Sequence, residues 1–194
     1  MTEIADAIPL FPASTRVLVP EWTVIGPYTA GPVDLDSLTD LIAADPQRAM
    51  PEVYRAHGPE GRWDPRATYR EGGTRIRPGT VRAEGAHVDL ATVLGRDSDK
   101  MAYAICGVYA PTARTAYCNI AANDCADILV NGVPMMGNRV CMLTRGSEYA
   151  RLRLDAGWNT VVVRTANYGA NWWFDFALYD PTGELRGAPV PARN

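Results

Sequence analysis

Lysine is almost missing from this chain of 194 residues: Lys100 stands alone beside 18 arginines. The 19 basic side chains face 22 acidic ones, for a formal charge of −3. A protein held mainly by nucleic-acid phosphates would carry a basic excess, so that class is excluded. A GC-rich coding sequence accounts for the arginine bias without any function. Long hydrophobic runs are missing as well. None approaches the ~20 residues of a membrane-spanning helix, which argues against an integral membrane protein. Residues 1–19 show no charged leader followed by a sustained apolar stretch. The expectation is therefore a cytoplasmic chain, or an extracellular one if it is a domain excised from a larger exported enzyme.

Paired metal-ligand spacings are also lacking. Cysteines stand at 106, 118, 125 and 141, none in a CxxC pair, which argues against a zinc site. With no export signal the expectation is four reduced, buried thiols. The alternative is a Cys106–Cys118 bridge across a hairpin turning at Ala110-Pro111-Thr112, which needs an oxidising compartment. Catalytic signatures are equally scarce. The two histidines are His57 and His87, and no G-x-S-x-G elbow, P-loop or G-x-G-x-x-G is present.

What is present is an ordinary globular balance, 47% hydrophobic and 21% charged. The length suits one domain with extensions: an irregular lead-in over 1–20, broken by Pro9, Pro12 and Pro20, a β domain over 21–183, and a tail over 184–194. One helix is expected at 37–45, where Leu38, Leu41 and Ile42 share a face, Ser37 or Asp36 can cap it, and Pro46 ends it. Residues 51–85, rich in Gly, Pro and Arg, read as a long decorated loop with one edge strand near 74–76.

The second half is β throughout, with strands expected at 103–109, 115–121, 127–131, 149–154, 160–166 and 172–180. Asn131-Gly132 between apolar runs is the strongest hairpin signal, since a type I′ turn needs positive φ at both central positions. In the last strand Trp172, Phe174, Phe176 and Leu178 alternate with Trp173, Asp175, Ala177 and Tyr179, which gives one strongly apolar face. Short strands at regular spacing with almost no helix predict an all-β antiparallel sandwich. Trp22, Leu152, Leu154, Val162, Trp172, Phe174 and Phe176 are the expected core.

Four segments, in order, resemble a known family. Trp22 with Ile25-Gly26-Pro27-Tyr28 is similar to the first strand of the jelly-roll accessory modules joined to many bacterial glycoside hydrolases and esterases. Asn123-Asp124 followed by Ile128-Leu129-Val130-Asn131-Gly132 resembles their central hairpin, with Cys125-Ala126 where the family has a second acidic residue. Leu154 to Val163, through Gly157-Trp158-Asn159, and Asn167 to Phe174 resemble their closing strands. The resemblance, to the galactose-binding-like β-sandwich, spans about 21–183. It implies a non-catalytic carbohydrate-binding or carbohydrate-enzyme accessory module, whose partner is a saccharide or a carbohydrate-active enzyme.

Adjacent tryptophans on a strand point to opposite faces, so with Trp172 in the core Trp173 is left for a sheet face, a cleft or an interface. Indoles stack on the C–H faces of sugars, while amides and carboxylates read hydroxyls. Tyr168, Asn171, Trp173 and Asp175 supply that mixture, and Trp63 in the long loop is either a second platform or a plug over a sheet. The equally open reading of Trp173 is packing beneath the long loop. Asn159 is expected to bond local backbone and Trp158 to pack on Trp22. Asp34, Asp36 and Asp175 offer hard oxygens for a structural calcium ion, although their spacing matches no calcium loop. Two other classes stay open: a structural module that uses its aromatic face for protein contact, and a small hydrolase built on Glu52 with Asp64 or on His57.

Overall fold

The computed structural model describes residues 13–31, 63–64, 66–135, 148–169 and 171–190. After a 3₁₀ turn (Ala13–Thr15) come β1 (Arg16–Val17), β2 (Glu21–Thr29), β3 (Tyr69–Glu71), β4 (Thr74–Ile76), β5 (Gly79–Arg82) and β6 (His87–Asp89). A short helix α1 (Ala91–Leu94) leads to β7 (Lys100–Ala110), β8 (Arg114–Asn123), β9 (Cys125–Val130) and β10 (Val133–Pro134). The chain continues through β11 (Glu148–Leu154), β12 (Gly157–Asn167), β13 (Trp173–Tyr179) and β14 (Arg186–Ala188).

The strands form an all-β antiparallel sandwich. One sheet has the order β1-β13-β8-β11, with β6 sharing the outer edge of β13. The other runs β10-β9-β12-β7-β2-β5, with β14 sharing an edge of β7, and β3-β4 is a separate hairpin. From β5 onward every step except the β9–β10 hairpin changes sheet, the winding of a double-sheet jelly roll. All six strands expected in the second half are present, each within a few residues of its expected limits. The sandwich also recruits chain on both sides of 21–183: Arg16 pairs with Tyr179, and Arg186–Ala188 pair with β7.

Alternation explains the core. Even-numbered residues of β8, β11 and β13 and odd ones of β12 meet between the sheets, where Trp22, Leu152, Leu154, Trp172, Phe174 and Phe176 are all buried. Trp22 sits edge-on to Phe174 and Phe176, with ring centroids 5.1 and 5.2 Å away. Such T-shaped pairs add about 0.5–1.5 kcal/mol each beyond area burial. The Trp172 indole N–H donates to Thr165 Oγ1 at 3.1 Å, which satisfies the one polar atom that side chain buries. Val162, also expected in the core, is buried on the opposite face of its sheet, in a second cluster with Ile25, Tyr103 and Ile105.

Two turns are locked to each other. Asn131 and Gly132 both have positive φ, 51° and 84°, as the type I′ reading requires. The Asn131 amide donates to Asn159 Oδ1 at 2.8 Å, and its own oxygen accepts from Thr160 N. Asn159 Nδ2 in turn donates to the carbonyls of Asp155, Gly157 and Val108. Gly26 is fixed by proximity: a Cβ there would lie 2.8 Å from Ala102 Cβ, where β2 bulges against β7.

Several expectations are corrected. Cys106 and Cys118 do not face each other in a hairpin, because β7 and β8 belong to different sheets; both thiols are free and buried. Burial in apolar surroundings raises both, Cys118 to about 12. Cys125 is disulfide-bonded, so the thiols are not all reduced. The 51–85 stretch is not one loop, since 69–82 holds three strands, including the one expected at 74–76. Trp158 does not pack on Trp22; it lies half-exposed against Tyr109, centroids 5.6 Å apart. The helix expected at 37–45 lies outside the described residues.

Candidate functional site

The two sheets treat their outer faces differently. On the larger sheet the outer face is covered: Tyr28, Met101, Tyr103, Leu129 and Val162 are buried there, with Trp63 and Tyr69 packed over them. That face even buries an ion pair, Asp127 with Arg164, neighbours across β9 and β12. Burial raises the Asp127 pKa despite the opposing pull of the guanidinium.

The smaller sheet leaves its outer face partly open, with Ala121, Ala177 and Tyr179 buried among more exposed neighbours, and register places its side chains in rows. Trp173 lies beside Asp89 and Asn123, and Asp175 beside His87 and Ala121. Next come Ala177, Asn119 and Tyr149, then Tyr179, Tyr117 and Arg151, with Arg16 flanking Tyr179. Thr115 and Arg153 close the array. Ala121 and Ala177 make a low floor between two taller groups. At one end His87 Nδ1 and Asp175 Oδ1 are 2.8 Å apart, both side chains about two-fifths exposed, and the imidazole leans on Trp173 at 5.4 Å.

At the other end Tyr149, 38% exposed, tilts over Tyr179 with centroids 5.9 Å apart. The hydroxyl contact between these two tyrosines raises the Tyr149 pKa. Arg16 and Arg151 each place a guanidinium 5.9 Å above a tyrosine ring, Tyr179 and Tyr117 respectively. Beyond Tyr117 the face deepens into a cleft of about 530 Å³ between Thr115, Arg151 and Arg153 on one side and Val133–Met135 on the other. Its volume falls within the ~300–1,000 Å³ of small-molecule sites.

The residues singled out from sequence divide between the two sheets. Trp173 and Asp175 share the open face, as alternation requires. Tyr168 belongs with the covered cluster, its hydroxyl donating to the Gly31 carbonyl at 3.1 Å and its backbone N–H to Asp124 at 2.6 Å. Trp63 is a plug and not a platform: it is 9% exposed and stacked on Tyr69, rings 7° from parallel. Asn171 is exposed ahead of β13 and takes a hydrogen bond from Arg96. One continuous surface of Trp173, Tyr168, Asn171 and Trp63 therefore does not form. Asp34, Asp36, Glu52 and His57 lie outside the described residues. Among the described residues no three His, Cys, Asp or Glu side chains converge as metal ligands.

Sequence reading missed Tyr117, Tyr149, Arg151 and Arg153. Their signal was the odd-numbered alternation of 115–119 and 149–153 against the apolar even positions. Register between β8 and β11, which brings them together, is not readable from either strand alone.

No family model matches the chain, and no curated protein does. No helix of the described residues is long and apolar enough to cross a membrane. Among solved structures the chain is similar to the PA14 domain of the MpAFP antifreeze protein, at 11% identity and a TM-score of 0.44, over 96% of this chain and 99% of that one.

Proposed function

We propose that this chain is a binding module whose open sheet face takes a saccharide. One observation carries the reading: the partly open face joins partly exposed aromatic rings, Trp173, Tyr117 and Tyr149, to hydrogen-bonding Asn119, Asp175 and arginines around a floor of two buried alanines. Flat rings stack on pyranose C–H faces at small entropic cost, and the polar groups between them orient hydroxyls. Along β13 the distance from Trp173 to Tyr179 is ~20 Å at the usual strand rise, long enough for several sugar rings end to end. Shallow sites of this kind bind weakly, with Kd roughly 10 µM to 1 mM.

The test is a glycan-array screen of the chain followed by titration calorimetry on any hit. Trp173→Ala and Tyr149→Ala should each weaken binding at least tenfold while the thermal midpoint stays within a few degrees. Absence of any saccharide ligand, together with capture of a protein partner that Trp173→Ala abolishes, would transfer the face to protein contact. A face for protein contact is the second reading, since the same aromatic and arginine side chains are enriched at such interfaces.

A further inference from the structure

We infer that the occupant of the lower cleft is a saccharide carrying a carboxylate, a uronic-acid unit, so that the open face reads an acidic glycan. This rests on the saccharide reading above and adds the chemical class of the sugar.

The first observation is charge. On a chain of net charge −3, the lower half of the open face gathers Arg16, Arg151 and Arg153. Arg153 is exposed and has no carboxylate partner among the described residues. Asp155, the acid nearest along the strand, accepts from the Asn131 amide at the turn. The basic groups elsewhere on the same sheet behave differently: Arg114 is neutralised by Glu184 at 2.6 Å, with Asp180 at 4.0 Å. At the cleft, Arg153 thus carries a positive charge that no carboxylate of the described residues meets.

The second observation is shape. Val133–Met135 form an apolar wall opposite the arginines, and Met135 Sδ is held 3.5 Å from the Arg153 backbone N–H. Tyr117 and Thr115 complete the cleft with a flat ring and a hydroxyl. A simple anion would leave the wall and the ring unused, and a neutral sugar would leave the charge of Arg153 unmet. A uronate ring uses all of them: its C–H face lies on Tyr117 or the wall, its hydroxyls meet Thr115, and its carboxylate accepts the planar fork of Arg153. A sulfated sugar shares the anionic chemistry but offers a tetrahedral group on a longer arm, so the two are separated in the test.

The experiment titrates the intact chain with three probes of equal length: an oligogalacturonate, its methyl ester, and a sulfated oligogalactan. The expected result is binding of the oligogalacturonate, at least tenfold loss on methyl esterification, and at least tenfold loss with Arg153→Ala. Arg153→Lys should recover part of that loss, because it keeps the charge without the fork. Unchanged thermal midpoints certify the fold of each variant. Raising salt from 50 to 500 mM should weaken the acid form and leave the ester unaffected. Equal affinity for acid and ester overturns the inference, and so does preference for the sulfated probe. If the array finds only neutral ligands whose binding depends on Trp173 and not on Arg153, the acidic-glycan inference fails while the saccharide reading stands. If no saccharide of any charge binds, both fail.

Discussion

The two sheets solve the same problem in opposite ways. The larger sheet is buried on both faces: every residue of β9 is inaccessible, and eight consecutive residues of β7, Met101–Val108, are buried. The smaller sheet is buried on its inner face and only partly on its outer one, and β8 and β11 alternate between buried alanine, cysteine, isoleucine or leucine and half-buried or exposed tyrosine, asparagine or arginine. A doubly covered sheet can only contribute stability. A sheet covered on one face has a surface to spare, and here that surface carries rings and guanidiniums beside Asp89, Asp175 and His87. The proposed binding role is assigned to this half of the sandwich.

The contrast is sharpest along β13, whose residues alternate between the two roles. Phe174→Ala should cost about 3–5 kcal/mol, because it empties the contact with Trp22 at the centre of the core. Its neighbour Trp173→Ala should cost less than about 1 kcal/mol. Chemical denaturation of both variants checks the pair, and equal losses would show that Trp173 is core after all.

Gly26→Ala probes the larger sheet where β2 approaches β7 most closely. The added methyl meets Ala102 at 2.8 Å, and overpacking of that kind costs about 1–3 kcal/mol. Asn159→Ala, which cuts the tie between the two turns, should cost about 1–3 kcal/mol by leaving backbone groups unpaired.

Acid should find a separate weak point. Burial of Asp180 pushes its pKa up, but hydrogen bonds from the N–H groups of Leu185 and Thr182 outweigh it, so the net shift is downward. A carboxyl with a lowered folded pKa stabilises the fold above its unfolded value near ~3.9, and that contribution is lost as pH falls through the folded value. Asp180→Asn should therefore lower the thermal midpoint at pH 7 and flatten its decline below about pH 4. The smallest effect concerns Cys106 and Cys118, one from each sheet: neither should react with a thiol reagent until the protein is denatured, when both should titrate.

How much of this was legible depends on the range of the forces involved. Strand identity and the inward face of β13 follow from period-two patterning, which any single strand displays, and the Asn131-Gly132 turn follows from backbone sterics within two residues. Sheet membership does not. The run 103–109 and the run 115–121 look like the arms of one hairpin, yet the chain crosses to the other sheet at 111–113, and Cys106 and Cys118 reach the same core from opposite sheets. The same non-locality divided the expected site. Trp63 and Trp173 are both aromatic residues with polar neighbours, and nothing in their sequence surroundings says that one lies over a covered sheet and the other on an open one. The arginine cleft was hidden for a further reason: its floor comes from β8 and β11, and its wall from the end of β10.

Alternation of strands between the sheets also has a kinetic side. Because nearly every step from β5 to β14 changes sheet, almost no ladder joins neighbours in the chain; β13, for example, pairs with β8 and β6. Such long loops must close before their pairing yields any stabilisation, and topologies of this kind fold in roughly milliseconds to seconds. Neither sheet can be completed by a chain that stops before β13 has been made. A nascent polypeptide released at Asn167 would hold β7, β9 and β12 together with β8 and β11 to face them, but would lack the Phe174 and Phe176 rings that pack on Trp22.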